Sequence, residues 1–93
     1  MTGYHVTDPI SAQAILSAGT PAHEAGWGTW LYLDAESARL FQERGHVGVD
    51  AIILTADLTD LTVIHVPEKR WGQQHRSVVI RQAISSDRYQ EAV

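Results

Sequence analysis

Three side chains able to exchange protons or hydrogen bonds stand on strands predicted far apart along the chain. His5 lies on a first strand with Thr7, Tyr32 lies on a second strand in WLYLD, and His75 opens a later strand in QQHRSVVI. If these strands are neighbours, two imidazoles and a phenol share one cleft, where they could orient a polar substrate and move protons. The alternative is that His5 is an edge histidine with its hydrogen bonds satisfied and Tyr32 is a core aromatic residue.

Other chemistries find little support in the spacing of residues. The five histidines are scattered, without the i, i+4 pair or tight cluster of a metal site, so no metal is expected. The chain has no cysteine, no G-x-S-x-G element and no glycine-rich phosphate loop. Glu36 and Glu43 are expected on an exposed helix face, and Asp57 and Asp60 at a turn.

Two helices are predicted in the first half of the chain. Asp8-Pro9 is typical of a helix start, and Gly19 of its end. Asp34 is expected to cap a second helix that ends at Gly45. Strands are predicted at 3–7 and 29–33, and the first helix is expected to bury Ile10, Ala14 and either Ile15 or Leu16.

The second half favours strands. Continuous apolar character predicts a buried strand over 50–58, and shorter strands are expected at 61–66 and 77–80. Residues 67–75 are interpreted as a polar loop, and 89–93 as a last strand or a frayed turn. The resulting order predicts one α+β domain over residues 1–93, with a mostly antiparallel or mixed sheet.

Composition excludes several classes of protein. Apolar residues make up 44% of the 93 residues, which excludes a disordered chain. The net charge of −4 makes nucleic acid an improbable partner. With no cysteine, no signal segment and no long apolar stretch, we expect a soluble cytoplasmic protein without a membrane partner. A domain this small has a thin margin of stability, which favours a homodimer or a protein partner.

The same residues carry a resemblance to a known superfamily. YHVTDP followed by A-x-x-I-L-x-x-G resembles the first motif of ADP-ribosyltransferase-like proteins, and GTWLYLDAESARLF resembles the second. VDAIILTADL is similar to the central strand that follows, and HRSVVIRQAI to the third motif. The match covers nearly the whole chain, although each motif is short.

The resemblance implies a small split sheet whose cleft binds NAD as a substrate. His5, Tyr32 and His75 would be the catalytic residues. His5 would hydrogen-bond the ribose or the amide end of the cofactor, and Thr7 would support the strand or the ribose. Tyr32 would stack on the nicotinamide ring, and Arg76 would complete the cofactor site. The chain departs from the family where His75 replaces the usual glutamate, because an imidazole cannot stabilise positive charge as a carboxylate does.

Three functions therefore stay open. In the first hypothesis the chain is an ADP-ribosyltransferase. It would either transfer ADP-ribose or act on a phosphorylated nucleotide that Arg70, Arg76 and Arg81 would hold. Alternatively, it is a catalytically inactive module of the same fold that binds a nucleotide or a protein. In the third hypothesis it is an unrelated interaction domain whose contact patch is formed by its tryptophans, Trp27, Trp30 and Trp71.

Overall fold

Local capping signals set where both helices begin and end. In the computed structural model, which describes residues 1–23 and 27–92, helix α1 spans Pro9–Ala18 and helix α2 spans Ala35–Glu43. Asp8 and Asp34 cap them as predicted, each accepting a hydrogen bond from the backbone N–H three residues later. Gly19 follows α1 with φ 73°. Within the described residues, neither helix is long and apolar enough to cross a bilayer.

The strands are short, and most lie where the sequence predicts them. They are β1 (Thr2–Thr7), β2 (Thr29–Tyr32), β3 (Ile52–Asp57), β4 (Ile64–His65), β5 (Glu68–Arg70), β6 (Gln73–His75), β7 (Ser77–Ile80) and β8 (Tyr89–Glu91). A 3₁₀ turn, Ser86–Arg88, precedes β8. The last predicted segment is therefore a strand, with Val93 outside the described residues.

One antiparallel sheet carries six of these strands. Their order is β4-β7-β2-β1-β3-β8, and β5 pairs with β6 in a separate hairpin. Every pairing in both sheets is antiparallel. The protein is thus an α+β fold with two helices and an antiparallel sheet. In this order β2 lies between β1 and β7, so the strands that carry or adjoin the predicted site residues are direct neighbours.

The hydrophobic core lies between α1 and one face of the sheet. Ala12 and Ile15 of α1 pack with Leu31, Leu54 and Val78, which are 1% exposed or less. Alternation along each strand puts these strand residues on the same face. The prediction for α1 is right for Ile15 but wrong for Ile10, which is 85% exposed, and for exposed Ala14. The helix is rotated so that Ala12 and Ile15, three residues apart, face the sheet.

Helix α2 covers the opposite face of the sheet. Ala38 is fully buried there, and Phe41 packs against Trp30 and Tyr32 with ring centroids 6.3 Å and 5.7 Å away. Tyr4 lies directly opposite Tyr32 across β1 and β2 and shares this face. The aromatic side chains of the second motif are therefore enclosed between the sheet and α2.

The segment 67–75 is the clearest departure from the sequence prediction. It is a β-hairpin and not a loop, because Trp71 and Gly72 have φ values of 50° and 72° and form its two-residue turn. Positive φ at both central residues is the geometry that matches the twist of paired strands. The strand predicted over 61–66 shrinks to Ile64–His65. The sequence did not predict this hairpin because its strands are polar and lack the alternation of apolar and polar residues by which a strand is recognised.

Candidate functional site

His5 lies on the sheet face that looks toward α1. Tyr4 and Tyr32 are paired across the sheet, and His5 follows Tyr4, so the side chains of His5 and Tyr32 start on opposite faces. The Nδ1 nitrogen of His5 lies 2.8 Å from the backbone carbonyl of Trp30. Burial lowers the pKa of His5, which favours the neutral ring with Nδ1–H donating to that carbonyl. The hydrogen bond ties β1 to β2 and accounts for this histidine structurally.

The other residues expected to hold a cofactor are also spread apart. Thr7 is buried and shares the face of His5 on β1. Arg76 is exposed between β6 and β7, where its carbonyl accepts a hydrogen bond from the Leu33 amide at 2.9 Å. Strand alternation puts Thr7 on the opposite face of the sheet from Tyr32. The residues expected to hold a nucleotide are therefore divided between the two faces of the sheet.

Tyr32 is buried beneath the β5–β6 hairpin. It is 4% exposed, and its hydroxyl donates to a Glu68 carboxylate oxygen at 2.7 Å. The guanidinium of Arg70 pairs with the same carboxylate at 2.9 Å and lies over the rings of Trp30 and Phe41. Burial and then the bond to Glu68 raise the pKa of Tyr32 well above its usual range. The phenol is thus a fixed donor that holds the hairpin down.

His75 comes together with Tyr32, as the sequence predicted. Their ring centroids are 6.0 Å apart at an interplanar angle of 70°. Trp71 approaches the His75 ring from the hairpin turn, at 5.4 Å and 78°. Two edge-on aromatic contacts hold the imidazole in one orientation. The positive φ of Trp71 is strained for a bulky residue, and this packing offsets that strain.

A chain of hydrogen bonds links His75 to the start of α2. His75 Nδ1 lies 2.8 Å from the Ser37 hydroxyl, which donates to Asp34 Oδ2 at 3.1 Å. Asp34 Oδ1 accepts the Ser37 amide at 2.7 Å as the helix cap. Both Ser37 and His75 are buried, at 7% and 3% exposure. We name this set the Asp34–Ser37–His75 relay.

The relay determines where the protons sit. Ser37 has one hydroxyl proton, and a carboxylate can only accept, so that proton belongs between Ser37 and Asp34. The hydroxyl oxygen then accepts from Nδ1–H of His75. In the neutral ring this leaves Nε2 as a bare acceptor. Nε2 is buried and has no hydrogen-bond partner among residues 1–23 and 27–92. An unpaired buried acceptor is costly, so Nε2 is the atom of the relay whose hydrogen-bonding capacity stays unused.

A groove runs beside this histidine, between α2 and β6. It encloses about 580 Å³, with Asp34 to Glu43 along one wall and Gln73–His75 along the other. We call it the α2–β6 groove. Its charged lining residues are Asp34, Glu36 and Glu43 against Arg39, and its apolar contribution comes from Leu40. The volume lies in the range of small-molecule sites, and the lining is polar and mainly acidic.

Across the part of the chain that the structure describes, no group of three or more histidine or carboxylate side chains could hold an ion. The tryptophans do not form one patch: Trp27 is 83% exposed, whereas Trp30 and Trp71 each contact Phe41 within the aromatic packing.

Comparison with protein-family models, with curated proteins and with solved structures gives no match for this chain. No relative therefore assigns a role to the α2–β6 groove.

Sequence reasoning missed Ser37 and Glu68 as members of the site. Ser37 forms an Asp-x-x-Ser cap with Asp34, and Asp8 with Ser11 forms the same cap on α1. The pattern is visible in the sequence, but only the α2 copy meets a histidine, 38 residues further along the chain. The contact of Glu68 with Tyr32 depends on the β5–β6 hairpin, which the polar sequence did not predict.

Proposed function

We propose that this chain is a small ligand-binding module and that the α2–β6 groove is its binding site. The observation that carries the proposal is His75, buried at 3% exposure, lining the groove, and left with an unpartnered Nε2. The relay through Ser37 and Asp34 fixes the ring before any ligand arrives, and such preorganisation lowers the cost of binding. This proposal corresponds to the catalytically inactive module among the functions expected from the sequence.

ADP-ribose transfer is less well supported by the same geometry. A transferase of the expected type needs His5 and Tyr32 on one wall of a nucleotide cleft, whereas strand alternation puts them on opposite faces. The Tyr32 ring is also covered by the hairpin, so it offers little face for a nicotinamide ring. The acidic groove lining opposes the two phosphates of NAD.

A relationship to the ADP-ribosyltransferase-like fold is a separate proposal from transferase activity. It is supported by the neighbouring positions of β1, β2 and β7, which carry or adjoin the three motifs, and by the contact between Tyr32 and His75. A protein of this fold could keep the sheet but lose the cleft that binds the nucleotide. It would then combine this strand order with a different binding site.

The test uses the ¹⁵N-labelled protein and nuclear magnetic resonance titrations with adenosine, NAD and putrescine at millimolar concentration. At least one probe is expected to move the backbone amide signals of Ser37 and His75, while Ser11, in the matching cap of α1, stays unmoved. Ser37→Ala should weaken that binding, and Ser11→Ala should leave it unchanged. Nicotinamide release is followed in the NAD sample over hours.

Two outcomes would overturn the proposal. One is nicotinamide release above the rate in buffer, lost in Tyr32→Phe, which would restore the transferase. The other is a titration in which none of the three probes moves the groove signals, or in which the Ser11 cap responds as strongly as the Ser37 cap.

A further inference from the structure

We infer that the chemical group recognised by the α2–β6 groove is an alkylammonium or guanidinium cation, as in a polyamine or a basic side chain. The inference rests on the proposed function and specifies its ligand class. Three features of the groove point to it: the charge of its walls, the unpartnered nitrogen of its buried histidine, and the apolar part of its lining.

The walls of the groove favour positive charge. Three carboxylates, Asp34, Glu36 and Glu43, line it against the single guanidinium of Arg39. Glu36 and Glu43 are exposed and lie seven residues apart on α2, so both project along the same side of the helix. Their carboxylates raise the local concentration of cations and repel phosphate or carboxylate ligands. The net charge of −4 acts in the same direction.

The unpartnered nitrogen of the buried histidine matches a ligand that donates. In the neutral ring the relay places the proton on Nδ1, so Nε2 accepts a hydrogen bond and does not give one. An ammonium group carries three N–H donors and a guanidinium five, and neither has an acceptor. A carboxylate or phosphate oxygen would meet the lone pair of Nε2 without a proton between them. Donor chemistry at His75 and negative charge on α2 therefore select the same class of group.

The remaining lining fits the stem that carries such a group. Leu40 contributes the apolar part of the groove, next to the amide side chains of Gln73 and Gln74. Methylene chains of lysine, arginine and polyamines bury along apolar surface while the charged head keeps its polar contacts. About 580 Å³ accommodates a stem of four carbons with its terminal groups.

The experiment compares three probes of equal length and different charge. Putrescine, 1,4-butanediol and succinate each have a four-carbon chain ending in ammonium, hydroxyl or carboxylate groups. Each is titrated into the ¹⁵N-labelled protein, and dissociation constants are taken from the Ser37 and His75 amide signals. We expect putrescine to bind at least about tenfold more tightly than butanediol, as for one charge-assisted hydrogen bond, and succinate to leave these signals in place.

Variants separate charge from the hydrogen bond at His75. Glu36→Gln and Glu43→Gln should each weaken putrescine about threefold, as expected for exposed charge pairs. Asp60→Asn removes one negative charge at an exposed turn outside the groove and should have no effect. His75→Asn keeps a donor toward Ser37 and removes the Nε2 acceptor, and should weaken putrescine about tenfold. Unchanged chemical shifts elsewhere verify that each variant is folded.

The source of the cation is distinguished by a second pair of probes. The peptides acetyl-GGRGG-amide and acetyl-GGEGG-amide present a guanidinium and a carboxylate on the same backbone. Tighter binding of the arginine peptide than of putrescine supports a protein segment as the source, and the reverse order supports a free polyamine. If butanediol, succinate or the glutamate peptide binds the groove as tightly as the cations, the cation inference fails while the binding site stands. If no probe moves the groove signals, both proposals fail.

Discussion

Replacing Tyr32 by phenylalanine tests whether one phenol holds the β5–β6 hairpin over the sheet. The substitution removes the hydroxyl that donates to Glu68 at 2.7 Å and leaves the buried ring in place. Glu68 would then keep only its ion pair with Arg70, at 2.9 Å. Because the ring is unchanged, the effect on stability reports the hydrogen bond and little of the packing.

The size of the effect follows from the partners. Hydrogen bonds to charged groups contribute about 1.5–3 kcal/mol, and the Glu68 side chain is 13% exposed, so water cannot easily replace the phenol. The retained Arg70 partner reduces the penalty, and we expect a loss of about 1.5 kcal/mol in the free energy of unfolding. With a urea m-value of about 1 kcal/mol/M for a domain of this size, the unfolding midpoint falls by about 1.5 M.

Tyr89→Phe is the matched control. Tyr89 is 5% exposed, but its hydroxyl pairs with the neutral hydroxyl of Thr20 at 2.9 Å, so its loss should cost only about 0.5–1 kcal/mol. Urea unfolding is followed by tryptophan fluorescence, since Trp71 lies on the hairpin, and by circular dichroism for the whole fold. A double-mutant cycle with Glu68→Ala should give a coupling of about 1.5 kcal/mol. The reasoning is refuted if Tyr32→Phe matches Tyr89→Phe or the coupling is zero within error.

Two further predictions concern the backbone and the pH dependence of stability. Gly19 and Gly45 both have φ 73°, but a Cβ at Gly19 would collide with the Ile84 carbonyl oxygen and one at Gly45 would meet nothing within 4 Å. Gly45→Ala should cost about 1–2 kcal/mol and Gly19→Ala clearly more, measured by urea unfolding; equal costs would contradict the packing argument. Burial places the pKa of folded His5 below its unfolded value of 6.5, so the unfolded chain binds more protons between the two values. The contribution of His5 to stability is therefore complete above about pH 6.5 and is lost as the pH falls toward the folded pKa. His5→Asn keeps a donor for Trp30 and should flatten melting temperature against pH, and an unchanged slope would contradict the assignment.

Sequence patterns were reliable where the cause is local. Asp8 and Asp34 cap helices because their carboxylates reach backbone amides three residues away, and no distant contact is needed. The strand 77–80 is predicted at its observed bounds because three β-branched residues in a row, Val78 to Ile80, favour extended backbone. Ile10 was misplaced because apolar type alone does not set the rotation of a short helix, which depends on how Ala12 and Ile15 meet the sheet.

The candidate site required the tertiary structure. The sequence identified Tyr32 and His75 and expected them to meet, and they do, because β2 and β7 are neighbours and β6 leads into β7. It also expected His5 in the same cleft. Alternation on β1 sends His5 to the other face, and this depends on register, which a shift of one residue would reverse.

The sequence alone thus determined the helix ends, most of the strands and the aromatic character of one face, since these follow from interactions within a few residues. Only the tertiary structure decided that Ser37 would meet His75 across 38 residues and leave a buried nitrogen without a partner beside an acidic groove. The physical reason is that hydrogen bonds between distant segments depend on strand order, register and hairpin closure, and local composition records none of these.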